Sequence, residues 1–85
     1  MTHLEIEKEV VSAVSQVLKK PVETITMQTS FAQLGADELD MFELVIKFED
    51  LFALEISDDA ACELDSVHKV VQFVVAQQQA AQQAV

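Results

Sequence analysis

The chain has 85 residues, of which 51% are hydrophobic, with one Gly, one Pro, one Cys, no Arg and a formal net charge of −10 at pH 7. This length and composition predict one folded domain rather than a disordered acidic segment, and no apolar run reaches the roughly 18 residues of a membrane-spanning helix. Because neutralising nucleic-acid phosphates requires Lys and Arg, the composition argues against nucleic acid as a partner.

The first predicted helix runs from about Leu4 to Lys19, where apolar residues recur at helical intervals. Thr2 and Glu5 have the spacing of a capping box, and Pro21 is expected to end the helix. The connection that follows, residues 21–36, carries so many apolar side chains that we expect it to lie across the core.

Three further helices are predicted after this connection. The second begins after Asp37, as its N-cap, and runs to about Phe52; the third is short, from near Ser57 to Glu63; the fourth starts at residue 65 or 66. After residue 76 the chain is rich in Gln and Ala, so we divide it into a helical domain, 1–76, and a tail, 77–85. The predicted fold is all-α: a four-helix bundle of three longer helices and one short helix, with a long loop between helices 1 and 2.

The second helix is apolar on two sides. One side is an ordinary core stripe formed by Met41, Leu44, Val45, Phe48, Leu51 and Phe52. The opposite side, which we call the outer face, combines three large apolar residues with three acids: Leu39, Phe42, Ile46, Glu43, Glu49 and Asp50. A helix in a small bundle cannot bury both sides, so the outer face predicts a docking surface for another protein. The alternative is that Phe42 or Ile46 packs beneath the long loop or the third helix.

The acids are unevenly distributed. Eleven of the fifteen carboxylates lie between Asp37 and Asp65, where Lys47 is the only basic residue. This asymmetry predicts partners with basic patches, although an acidic surface kept for solubility is the alternative. The single Cys62 excludes an internal disulfide, fits a reducing compartment such as the cytoplasm, and is expected to be a small buried apolar side chain.

The segment "LGADELDMFELVIKFEDLF", residues 34–52, closely resembles the "LGADSLD" region of acyl carrier proteins, and the resemblance extends over roughly residues 4–76. It implies a four-helix bundle that carries acyl chains as thioesters on a 4′-phosphopantetheine arm, in fatty acid or polyketide synthesis. It also implies that enzymes with basic patches recognise the second helix. Carried over by position, the recognition residues are Asp37, Leu39, Asp40, Met41, Glu43, Ile46, Glu49 and Asp50, to which periodicity adds Phe42.

One position departs from the family pattern. The family attaches its arm to the serine of "ADSLD", whereas this chain reads "ADELD", with Glu38 in that place. Attachment needs a hydroxyl, because a carboxylate would give a mixed acyl phosphate that hydrolyses readily. The chain is therefore expected to carry no cofactor. Three explanations remain open: Glu38 imitates the charge of the phosphodiester, occupies a position freed from selection, or was substituted deliberately.

These observations predict an acyl carrier-like domain that docks to carrier-recognising enzymes but cannot be loaded. A phosphopantetheinyl transferase would be a productive partner only if Glu38 were Ser. The alternative is an arm-less paralogue acting as a regulatory or scaffolding module. We expect no enzymatic activity, because His3 and His68 lie far apart and the carboxylates have no evident cleft. We also expect no dedicated metal site, no membrane association, and a monomeric cytoplasmic protein.

Overall fold

A computed structural model describes residues 2–83, with side chains described through residue 78. It contains four α-helices: α1 (His3–Leu18), α2 (Glu38–Phe52), α3 (Asp58–Glu63) and α4 (Val67–Gln83). A single 3₁₀ turn, Val22–Thr24, lies in the connection between α1 and α2. The predicted all-α bundle with one short helix is confirmed.

The start of α1 has the predicted capping box. The Thr2 N–H donates to Glu5 Oε1 at 3.0 Å, and the Glu5 N–H donates to Thr2 Oγ1 at 3.2 Å. The bond from the Thr2 N–H is the main reason why the pKa of the Glu5 carboxyl lies below its usual value. The helix ends at Lys19, which adopts a left-handed conformation (φ 58°) just before Pro21.

The core lies where α1 packs against both α2 and α4. On α4, Val67, Val70, Val71 and Val74 are all buried, and Val75 is half-buried. The other buried apolar side chains are Ile6, Val10, Ala13, Val14, Ile25, Phe31, Leu44, Phe48, Phe52, Ile56 and Leu64.

The long connection lies across the core, as its apolar content predicts, and it is also hydrogen-bonded to the start of α4. Phe31 is buried, and its N–H donates to the carbonyl of Asp65 at 2.9 Å. The Val67 and His68 N–H groups donate to carbonyls of the connection, on Thr29 and Met27. These bonds satisfy amides at the α4 N-terminus, which a helix cannot satisfy internally. They also fix the segment that leads into α2.

At the C-terminal end, α4 continues past Ala76 to Gln83, into the Gln- and Ala-rich segment. Ala and Gln both favour helices, so this composition can extend the last helix without a packed face. The division into a domain and a tail stays a prediction, and residues 84–85 of that tail lie outside the described residues. Among residues 2–83, no helix is both long and apolar enough to cross a membrane.

Candidate functional site

The N-terminus of α2 is fixed by a reciprocal pair of acids. Asp37 is the N-cap, as predicted, and its Oδ1 accepts the Asp40 N–H at 2.8 Å. The Asp37 N–H in turn donates to Asp40 Oδ2 at 3.1 Å. Sequence reasoning placed Asp40 only on the recognition surface, although the three-residue spacing of the two acids could have indicated this capping box.

Glu38 is the first residue of α2, and its side chain is exposed. Within the described part of the chain, no hydrogen bond or ion pair involves its carboxylate. Glu38 therefore places, at the N-terminus of α2, a carboxylate without a hydrogen-bond partner among the described residues. Backbone N–H groups and the helix dipole favour negative charge at this end of a helix.

The hydroxyl groups of the surrounding segments do not substitute for one at position 38. Ser30 Oγ accepts the Gln33 N–H, and Ser57 Oγ accepts the Ala60 N–H at the start of α3. Ser66 Oγ accepts the Lys69 N–H, and Thr29 Oγ1 accepts the Thr26 N–H. Each of these oxygens is used by its own turn, and none lies in the first turn of α2. The residues present at this helix end thus do not fit covalent attachment of a phosphopantetheine arm.

The two sides of α2 differ sharply in exposure. The apolar residues of the outer face are 72% exposed at Leu39, 64% at Phe42 and 46% at Ile46, whereas Leu44 and Phe48 are buried. Packing of Phe42 or Ile46 beneath the loop or the third helix is not observed. Leu39, Phe42 and Ile46 therefore form an apolar row that faces solvent on α2, the helix that also carries the acids of the outer face.

The acids of α2 have different surroundings. Glu43 and Asp50 are exposed, but Glu49 is half-buried and its Oε2 accepts the Ile56 N–H at 2.9 Å. Glu49 thereby ties the end of α2 to the segment before α3. No sequence signal identifies this bond, because it spans seven residues across the end of the helix. The candidate recognition residue Met41 is also half-buried and packs against the core.

Glu49→Ala should lower the free energy of unfolding by about 1–3 kcal/mol, because a partly buried backbone N–H loses its acceptor. Asp50→Ala is the matched control, since its exposed carboxylate makes no such bond, and its effect should stay within about 0.5 kcal/mol. Urea denaturation of both variants measures the difference. Equal effects would mean that the Glu49 bond does not contribute in solution.

A groove of about 890 Å³ opens between α2, α3 and the connection that precedes α2; we call it the α2–α3 groove. Cys62 lies on it and is exposed, so the expectation of a buried cysteine is wrong. The reason is that α3 is only six residues long and none of its side chains is fully buried. The lining consists of Phe31, Ala32, Ala36, Asp37, Glu38, Met41, Phe42, Val45, Ile46, Glu49, Ile56, Asp58, Ala61, Cys62, Leu64 and Asp65.

Charged side chains make few contacts with one another. Over the described residues the structure has one ion pair, Lys69 with Asp65 at the start of α4, and within α1 the His3 imidazole lies 3.3 Å from the Glu7 carboxylate. No group of three or more His, Cys, Asp or Glu side chains in the same part of the chain is placed to hold a metal ion. The acids of α2 are thus not neutralised by ion pairs within the described residues.

Comparison with known proteins identifies the family. Residues 8–74 match the family model described as phosphopantetheine attachment site. The chain is 44% identical over 64 residues to acyl carrier protein 3 of Ralstonia nicotianae, covering 74% of each chain. It is 40% identical over 78 residues to the acyl carrier protein of Exiguobacterium sibiricum, covering 91% of this chain and 99% of that protein. It is 38% identical over 75 residues to the acyl carrier protein of Guillardia theta, covering 87% and 93%. The chain belongs to the acyl carrier protein family.

Proposed function

We propose that this chain is an acyl carrier-type docking domain of fatty acid or polyketide biosynthesis that engages carrier-recognising enzymes without carrying an arm. The proposal depends on what the structure shows at the start of α2. There, a carboxylate with no hydroxyl beside it stands where the family pattern has its attachment serine, on a helix whose outer face is open to solvent. Such a domain is a carrier-like partner of enzymes rather than an enzyme itself.

Docking would use the outer face of α2. Leu39, Phe42 and Ile46 provide apolar contact area, and aromatic residues at the centre of an interface often contribute most of the binding energy. Glu43 and Asp50 are exposed beside them and would steer and orient a partner surface containing Lys and Arg. The predicted recognition role of Asp37, Asp40 and Glu49 is secondary in this proposal, because these acids already accept backbone hydrogen bonds.

Glu38 would contribute charge to this surface. A phosphodiester attached at the same position would also carry about one negative charge, and the helix N-terminus favours such a charge by about 0.3–1 kcal/mol. In this view Glu38 imitates the modified state for enzymes that recognise the charge. Glu38→Gln keeps the size of the side chain and removes the charge, and should therefore weaken docking.

The test is competition for a phosphopantetheinyl transferase while it loads a conventional apo acyl carrier protein. The unloaded chain should raise the apparent KM for that carrier without lowering kcat. Phe42→Ala should raise the inhibition constant roughly tenfold, the effect of losing a typical interface anchor. Glu43→Lys should also weaken inhibition, and added salt should shrink the difference between Glu43→Lys and the parent chain.

Leu4→Ala is the matched control, because Leu4 is a similarly exposed apolar residue (59%) on α1 rather than α2. It should leave the inhibition constant unchanged. Absence of inhibition at concentrations well above the KM of the conventional carrier would contradict the docking proposal. Equal effects of Leu4→Ala and Phe42→Ala would place docking elsewhere.

The alternative function, a regulatory or scaffolding module, keeps the same exposed face but directs it to proteins outside acyl-chain synthesis. Its supporting observation is the same lack of a hydroxyl at position 38. If the chain inhibits neither phosphopantetheinyl transferases nor condensing enzymes, this alternative is favoured. In either case we propose a monomer in the cytoplasm, where the one exposed thiol, Cys62, stays reduced.

A further inference from the structure

A second exposed apolar surface lies on α1 and the connection, and none of its lining residues belongs to α2, α3 or α4. It is a depression of about 330 Å³, which we call the α1 patch. Leu4 on α1 and Val22 on the connection are each at least half exposed there. The α1 side of the patch is formed by Leu4, Glu7, Lys8, Val11 and Ser12.

The α1 patch is shallow. Of its eight lining residues only Ile25, in the connection, is buried. Small-molecule sites enclose most of their ligand, and a depression with so little buried wall cannot do this. The surface of another protein molecule, with apolar side chains at its centre and polar groups around them, is a better match.

The charge of the chain is divided so that the α1 patch lies in its nearly neutral part. Residues 1–36 carry four acids and three Lys, whereas residues 37–85 carry eleven acids and two Lys. Two copies of the chain, each with a net charge of −10, would therefore repel one another least if they met through residues 1–36.

The patch is also complementary to itself. Its other α1 residues lie three, four, seven and eight positions after Leu4, so they share one face of the helix. When two identical helices pack antiparallel about a twofold axis, residues at equal distances on either side of the axis meet. With the axis between Glu7 and Lys8, each Glu7 faces the Lys8 of the other copy. The same arrangement places each Leu4 against the Val11 of the other copy.

Both charged residues are available for this pairing. Lys8 is exposed and makes no ion pair within residues 2–78. Glu7 is half-buried, and its Oε1 lies 3.3 Å from Nε2 of His3 on the same helix. A carboxylate has about four lone-pair sites, so Glu7 can accept a Lys from a second copy at the same time.

We propose that two copies of this chain associate through the α1 patch, as an antiparallel twofold pair of α1 helices centred between Glu7 and Lys8. The apolar area is small, so the interface belongs to the weak class below about 1,200 Å², and we expect a dissociation constant of roughly 0.1–1 mM. At micromolar concentrations the chain stays the monomer proposed above. The inference goes beyond the docking proposal and does not depend on it, because no residue of α2 lines the patch.

Sedimentation equilibrium of the full chain at concentrations from about 20 µM to about 1 mM tests the proposal, with a reductant present to prevent Cys62 cross-links. The mean mass should rise from that of a monomer towards that of a dimer and not beyond. Leu4→Ala should raise the dissociation constant at least roughly tenfold, because a symmetric contact loses the side chain twice. Phe42→Ala is the matched control on α2 and should leave the dissociation constant unchanged.

Reversing the two charges tests the arrangement of the pair. Glu7→Lys sets Lys against Lys twice and should weaken association at least roughly tenfold, even though it lowers the net negative charge of the chain. Lys8→Glu should weaken it as well, by opposing two acids. An equimolar mixture of the two single variants should recover most of the association, since opposite charges then face each other. The double variant Glu7→Lys/Lys8→Glu should recover it for the same reason. Circular dichroism confirms that each variant remains helical.

A mean mass that stays at that of the monomer at about 1 mM would overturn the proposal. Equal weakening by Phe42→Ala and Leu4→Ala would overturn it too, because the outer face of α2 would then take part in a head-to-tail contact. Single variants that do not associate on mixing would show that α1 does not meet α1 in this register. Transferase inhibition is measured at micromolar concentrations, where the chain is monomeric, so the docking proposal and the self-association proposal can fail independently.

Discussion

Replacing Phe48 by Ala should lower the free energy of unfolding by about 3–5 kcal/mol. Phe48 lies on the inner side of α2 and is only 1% exposed, in the core where α1 packs against α2 and α4. Its removal deletes buried apolar area and leaves a cavity that a close-packed interior cannot fully close. Since small domains have total stabilities of about 5–15 kcal/mol, this one change should remove a large part of the stability. Urea denaturation followed by circular dichroism measures it.

Phe42→Ala is the matched control: the same substitution on the same helix, on the outer face. Phe42 is 64% exposed, so its replacement should change the free energy of unfolding by less than about 0.5 kcal/mol. A cost close to that of Phe48→Ala would mean that the outer face is buried in solution, and the docking proposal would lose its surface. If Phe48→Ala does not fold, Phe48→Leu should show a smaller loss in the same direction.

The division of α2 into two faces could be predicted from sequence because it depends only on helical periodicity. Leu44, Phe48 and Phe52 are buried as expected, and Leu39 and Phe42 are exposed. The helix boundaries were also close to those observed, because capping residues mark them locally. Thr2, Asp37 and Ser57 each accept the backbone N–H that an N-cap should accept.

Features that join distant segments could not be predicted in this way. The bond from the Ile56 N–H to Glu49 depends on how the chain leaves α2, and the bonds from α4 to the Met27 and Thr29 carbonyls depend on where the long connection lies. The α2–α3 groove likewise exists only once α3 is placed beside α2. Composition also misled the interpretation of Cys62, because a cysteine is usually buried but a one-and-a-half-turn helix cannot cover its own side chains.

The proposed loss of loading depends on one functional group. Glu38 begins α2 in an exposed position that an enzyme could reach, so access does not prevent modification. What is missing is a hydroxyl oxygen able to form a stable phosphodiester. Changing Glu38 to Ser restores that oxygen without altering the Asp37 and Asp40 capping box or the outer face of α2. The change should therefore convert the chain from unmodified to fully modifiable, an all-or-none effect.

Intact-protein mass spectrometry after incubation with coenzyme A, Mg²⁺ and a phosphopantetheinyl transferase measures this conversion most directly. Glu38→Ser should gain the mass of one phosphopantetheine group. The parent chain should gain nothing, and neither should Glu43→Ser, which puts a hydroxyl at an exposed position further along the same helix. A mass gain on the parent chain would contradict the account, because an arm would then be attached to a protein that offers no serine at this position. Failure of Glu38→Ser to gain the group would contradict it as well, by showing that carrier-recognising enzymes do not engage α2.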